Sequence, residues 1–212
     1  MKKLIIGLAT GRCGTKSLVT LLNIQKDVEF YHEHCRLPWI VDMNRANKYF
    51  DAFEEYDNSI ILGDIGVWYV MYAKALLERF GKKVIFVRLV RDDHEVVKSY
   101  MNKVSRGNHW TIYGSKYRTG REVKSIFDEC YPKFDEPKEQ AIASFIRIHY
   151  RLCRHIESIA TDQVKTFGMN LFTSREEQQR LFEFLKIREP CYCTSIMENK
   201  RFDFKKFLRC EI

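Results

Sequence analysis

The 212-residue chain predicts an α/β fold, a single parallel sheet of about five strands with helices on both faces. Three observations carry this. Short apolar runs, too brief for helices, alternate with longer segments whose apolar residues recur at helical spacing. No repeat, low-complexity tract or Pro/Gly-rich linker breaks the alternation, so residues 1–212 are expected to form one domain. The unusual polar clusters fall just after the apolar runs, where parallel sheets bind their ligands.

Leu4-Ile5-Ile6 opens the first strand, and Leu18, Leu21 and Leu22 mark the helix that follows a glycine turn. Val28-Glu29-Phe30-Tyr31 reads as the second strand. A helix is expected to start near Pro38, with Ile40, Val41, Tyr49, Phe50 and Phe53 as its apolar side. Ser59 to Asp64 is the third strand. The segment from Val70 to Phe80 is helical and stops at Gly81. Lys83 to Val90 forms the fourth strand, and Asp92 and Asp93 can cap the helix carrying Val96, Val97, Tyr100 and Met101. Asn102 to Arg121 is irregular and basic. A long helix is expected from about Pro137 to Ile159, a fifth strand over Val164–Phe167, and a helix capped by Ser174 through Leu185.

Composition narrows the partners. A hydrophobic content of 45% belongs to a folded globular chain. The formal net charge of +8 favours an anionic partner, whether nucleotide, nucleic acid or membrane surface. No apolar run is long enough for a transmembrane helix. The first apolar run is also too short for a signal-peptide core. Seven scattered cysteines, with only Cys191 and Cys193 close together, suggest reduced thiols in a cytoplasmic protein.

The turn after the first strand, Gly11-Arg12-Cys13-Gly14-Thr15-Lys16-Ser17, leads into a helix. Strand, glycine turn and helix together aim backbone N–H groups and a positive helix end at an anion. Arg12 and Lys16 add full charges. The nucleotide-triphosphatase pattern does not fit, because Thr10 and Thr15 stand where it needs glycine.

What remains, Gly-Arg-Cys-Gly-Thr-Lys-Ser-Leu, resembles the 5'-phosphosulfate loop of sulfotransferases that use 3'-phosphoadenosine-5'-phosphosulfate (PAPS). A second stretch, Arg91-Asp92-Asp93 with Ser99 eight residues after the arginine, resembles the 3'-phosphate segment of the same family. There a strand ends in Arg-Asp and the serine lies on the next helix. The resemblance spans most of the chain. Two departures stand out: Asp93 where proline is common, and Lys16 where threonine is frequent.

The resemblance implies a P-loop nucleotide-kinase-like sulfotransferase fold and a sulfotransferase with PAPS as donor and no metal requirement. It places Arg12, Cys13, Gly14, Thr15, Lys16 and Ser17 on the 5'-phosphosulfate, and Arg91 and Ser99 on the 3'-phosphate. A basic segment near the C-terminus, best matched by Asn199-Lys200-Arg201, would close that phosphate. Arg12 would also act on the bridging oxygen. Family members use Glu or His as base, and those acting on protein tyrosine carry a Glu three residues before an Arg, as Glu33 stands to Arg36. Glu33 is therefore the first candidate base, followed by His34 and His32.

His32, Arg36, Asp64, Trp68 and Trp110 are expected at the acceptor, with Trp39, Tyr69, Tyr113 and Tyr117 nearby. An ion pair between Glu33 and Arg36 is the competing reading for that carboxylate. The His-x-His pair lacks an obvious third metal ligand. Two other classes stay open. A small P-loop kinase would use Lys16-Ser17 and Asp64 with Mg-ATP. A nucleic-acid binder would rest on charge alone, and no recognised module supports it. The expected partners are a nucleotide donor and an unidentified acceptor, with no nucleic acid.

Overall fold

The computed structural model describes residues 3–56, 60–103, 110 and 132–196. Its strands are β1 (Lys3–Leu8), β2 (Val28–His32), β3 (Ile61–Ile65), β4 (Val84–Leu89) and β5 (Val164–Phe167). All pair in parallel, in the order β2-β3-β1-β4-β5. The helices are α1 (Thr15–Asn23), α2 (Met43–Glu55), α3 (Tyr69–Phe80), α4 (Asp93–Lys103), α5 (Lys138–Ile159) and α6 (Arg175–Leu185).

The pleat of β1 explains the layering. Leu4, Ile6 and Leu8 face one way and join a core with α2, α3 and the end of α5. Ile5 and Ala9 face the other way, with Cys13, Leu18, Leu21, Leu22, Phe172, Leu181 and Phe182 from around α1 and α6. Strands buried on both faces read as continuous apolar runs, and for that reason they stand out in the sequence. A third cluster joins Val96, Val97 and Tyr100 of α4 to Ile142, Phe145 and Ile146 of α5, with Trp110 between them.

The second helix departs from expectation. It starts at Met43 rather than near Pro38, because the Asp42 carboxylate accepts from Arg45 N and sets its first turn. Ile40 and Val41 precede it and are exposed, Ile40 by 70%. Elsewhere the predicted signals act as read. Ser174 caps α6, Asp92 accepts from Glu95 N at the start of α4, and Gly81 ends α3 with φ +53.

Candidate functional site

The site grows from the carboxyl end of β1, flanked by β3 and β4. The chain leaves β1 through α1 toward β2 and leaves β4 through α4 and α5 toward β5. Connections that depart in opposite directions open a crevice between adjacent strand ends, the usual ligand position in such sheets.

The loop between β1 and α1 is tightly wound. Gly11, Arg12 and Gly14 have φ of +79, +60 and +83. A side chain at Gly14 would run into Phe172, with its Cβ 2.4 Å from Cε2. Arg12 takes the left-handed conformation without being glycine, a strained state that costs about 1–2 kcal/mol. It is held from two sides. Arg91 Nη1 donates to the Arg12 carbonyl at 3.1 Å, and Arg12 Nε donates to Ser99 Oγ at 2.9 Å. Below the loop, Tyr100 donates to the Thr10 carbonyl at 2.6 Å.

Helix α1 then begins at Gly14 with no side-chain cap, unlike α2 and α6. Its first-turn N–H groups lack an intrahelical partner and, with the helix dipole, give this end partial positive charge. Lys16 on this turn is exposed, and Ser17 is buried. The Cys13 thiol is buried and pushed up to about 11, with burial the leading cause. It stays protonated at neutral pH and packs in the core, leaving only its backbone to the loop.

Arg91 also pairs with Glu95 in the first turn of α4, at 3.1 Å. Tyr150 of α5 donates to the Arg91 carbonyl at 3.2 Å, its hydroxyl pushed up to about 12, mainly by burial. The structure thus brings Arg12, Arg91 and Ser99 into one hydrogen-bonded group. The partners Glu95, Tyr100 and Tyr150 carry no motif that reveals them in the sequence. Only the i,i+4 spacing of Arg91 and Glu95 gave a sign.

On the other side of β1, His32 ends β2 and its Nε2 lies 3.0 Å from Thr15 Oγ1. Glu33 follows with φ +56, its N–H donating to the Ile65 carbonyl at 2.9 Å. Glu33, His34 and Arg36 are exposed, and no ion pair joins Glu33 to Arg36 among the described residues. The His34 ring lies against Tyr31 at 4.8 Å.

Two candidates change character. Asp64 is 1% exposed, and its carboxylate accepts from His34 N, Cys35 N, Ile65 N and the Tyr69 hydroxyl. It shapes the Glu33–His34 turn from beneath, with its oxygens already engaged. Beside it, the Tyr69 hydroxyl is pushed well up, first by burial and then by the Asp64 charge. Trp110 is buried and stacked on Phe145 at 3.6 Å, a core position between α4 and α5. Trp68 is 9% exposed and meets Trp39 edge to face at 6.1 Å. Lys200, Arg201, Asn199, Tyr113 and Tyr117 lie outside the described residues.

Among the described residues, no group of three or more His, Cys, Asp or Glu side chains could hold a metal ion. Among the same residues, no helix is long and apolar enough to cross a membrane.

In comparisons with known proteins, no family model and no curated protein matches the chain. Solved structures do. A sulfotransferase from Alicyclobacillus acidocaldarius superposes with a TM-score of 0.56 at 14% identity, covering 98% of this chain and 90% of the other. The YorR protein from Bacillus subtilis, solved in complex with phosphorylated GDP, gives 0.53 at 13% identity, over 90% and 99%. The chain has a parallel five-stranded α/β fold, and its match to these two proteins is one of fold.

Proposed function

We propose that the protein is a sulfotransferase that moves a sulfuryl group from PAPS to a hydroxyl or amine acceptor, such as a carbohydrate, a phenol or tyrosine. One observation supports this most. The loop after β1 and the start of α4 are joined as one unit through Arg12, Arg91 and Ser99. That unit gathers two guanidinium groups and a hydroxyl, the kind of donor set that a nucleotide with both a 5'- and a 3'-phosphate requires.

The chemistry follows from charge. The acceptor oxygen or nitrogen attacks sulfur in line while the bond from sulfur to the bridging oxygen breaks. The bond's electron pair stays on the 5'-phosphate, so charge grows where the uncapped α1 end and Arg12 lie. Glu33 takes the acceptor's proton, with His34 behind it. Its exposed carboxylate, free of an ion pair with Arg36, is open to a substrate. Asp64 holds that turn rather than touching the acceptor, and Trp68 is proposed to line the acceptor pocket. Arg36 is exposed beside Glu33 and would attract an anionic acceptor. Lys200 and Arg201 are proposed to close the 3'-phosphate. PAPS is the donor, and no metal is proposed, because the transferred sulfonate carries one negative charge where a terminal phosphate carries about two.

The P-loop kinase reading keeps the fold but needs Asp64 to serve a Mg²⁺ site. Four protein donors already occupy that carboxylate, which favours the sulfotransferase. The test is formation of 3',5'-bisphosphoadenosine from PAPS with panels of phenol, carbohydrate and amine acceptors. Acceptor-dependent turnover that Arg12→Ala and Glu33→Gln abolish supports the reading, provided Glu33→Gln still binds the nucleotide. Phosphorylation of the same acceptors with Mg-ATP, and none with PAPS, would replace it by the kinase.

A further inference from the structure

Thr15 Oγ1 and His32 Nε2 join the first residue of α1 to the last residue of β2. The pleat explains why they meet. Val28 and Phe30 pack into the layer that holds α1, and His32 follows at the same two-residue spacing.

Counting protons gives the contact a consequence. When Nε2 bears no proton, the Thr15 hydroxyl donates to the ring, and only its lone pairs face an anion at the α1 end. When Nε2 bears a proton, the ring donates to Thr15, and the hydroxyl proton is free to point at the anion. A neutral ring can reach the second state by changing tautomer, but an imidazolium also adds an attractive charge beside a phosphate.

We propose that His32 is a positioning residue for the donor nucleotide: an anion bound at the α1 end draws a proton onto His32, which turns the Thr15 hydroxyl from the ring to the ligand. This rests on the reading of the loop as a nucleotide-phosphate site. The other groups on elements packed around His32 pull in both directions. Lys16 on α1 and Arg12 in the loop oppose a further cation, and His34 does so when charged. Asp64 on β3 and Glu33 on the adjoining turn favour one, and Tyr31 stays neutral. The ligand's own charge then decides the balance.

The test is calorimetry of 3',5'-bisphosphoadenosine binding to the wild type, His32→Gln and His32→Ala. Titrations in two buffers of different ionisation enthalpy, from pH 5.5 to 8, give the protons taken up. The nucleotide phosphates titrate near pH 6 themselves, equally for all three proteins, so the differences between proteins report on His32. Glutamine places a permanent N–H donor near the Nε2 position. The wild type should take up more protons than either variant, and its affinity should fall about tenfold more than that of His32→Gln as pH rises across the range. At pH 8, His32→Gln should bind more tightly than His32→Ala by a similar factor. Equal proton uptake by the wild type and His32→Gln would overturn the proposal in favour of a tautomer change. Absence of binding in all three proteins at every pH would instead remove the nucleotide reading beneath it.

Discussion

Arg12 Nε donates to Ser99 Oγ at 2.9 Å, tying the loop after β1 to α4 across 87 residues of sequence. Both side chains are partly buried at the carboxyl end of the sheet, and Arg91 grips the Arg12 carbonyl as well. The strained Arg12 backbone is therefore fixed by the residues assigned to the 3'-phosphate. Under the proposed function, Ser99→Ala removes both a phosphate donor and the partner that orients Arg12. Its affinity for 3',5'-bisphosphoadenosine should fall about tenfold, the worth of a hydrogen bond to a charged group, while ADP should lose less. Titration calorimetry of the two nucleotides checks this, and equal losses would count against the 3' assignment.

Gly11 tests how the loop is held. A Cβ there would sit 2.4 Å from the Tyr100 hydroxyl oxygen, and φ of +79 strains any side chain. Gly11→Ala should cost about 2 kcal/mol or more in urea unfolding. The clash is with the hydroxyl alone, so adding Tyr100→Phe should recover part of that loss even though the bond to the Thr10 carbonyl goes. A double-mutant cycle should therefore show favourable coupling.

Most of the fold was legible because each buried strand is a short apolar run and each helix carries an apolar stripe. The start of α2 was not. Ile40 and Val41 look like the beginning of a helical stripe, yet they stand outside the helix because the Asp42 cap, a purely local signal, overrides them. At the site, the glycine turn, Arg91 and Ser99 could be read as separate motifs, but their union through Arg12 could not. A contact between residues so far apart depends on β1 lying next to β4, which no local pattern encodes. Asp64 illustrates the same limit. An acid at the end of a strand suggests a ligand, and only the folded turn reveals four protein donors converging on it.

Asp64→Asn follows from that convergence. An amide nitrogen would face donors that need an acceptor, leaving at least one of them unsatisfied in a buried site. The expected loss is about 2–4 kcal/mol of stability, measured by urea unfolding. Because Asp64 holds His34 N and Cys35 N, the Glu33 turn should loosen as well, and turnover should fall in the folded protein. Unchanged stability with loss of Mg-ATP binding would instead fit the kinase reading.

His149 gives a pH signature away from the site. It is buried on α5, its Nε2 has no hydrogen-bond partner among the described residues, and Nδ1 lies 3.5 Å from Cys153 Sγ. Burial, and secondarily the Arg88 charge, lowers its pKa to about 3. The folded value is below the unfolded one, so the unfolded state binds more protons between the two. The neutral ring costs nothing extra above about pH 6.5, and stability declines as pH falls from there toward about 3, by up to ~1.4 kcal/mol per pH unit. Replacing the ring by His149→Leu should flatten this acid limb in denaturant titrations between pH 6.5 and 4.

The central claim, that the crevice beside β1 holds a nucleotide by two separate phosphates, is tested most directly by calorimetry without Mg²⁺. Wild type should bind 3',5'-bisphosphoadenosine at least tenfold more tightly than ADP, and Arg91→Ala should erase the preference. Equal affinities for the two nucleotides, unmoved by Arg91→Ala, would contradict it.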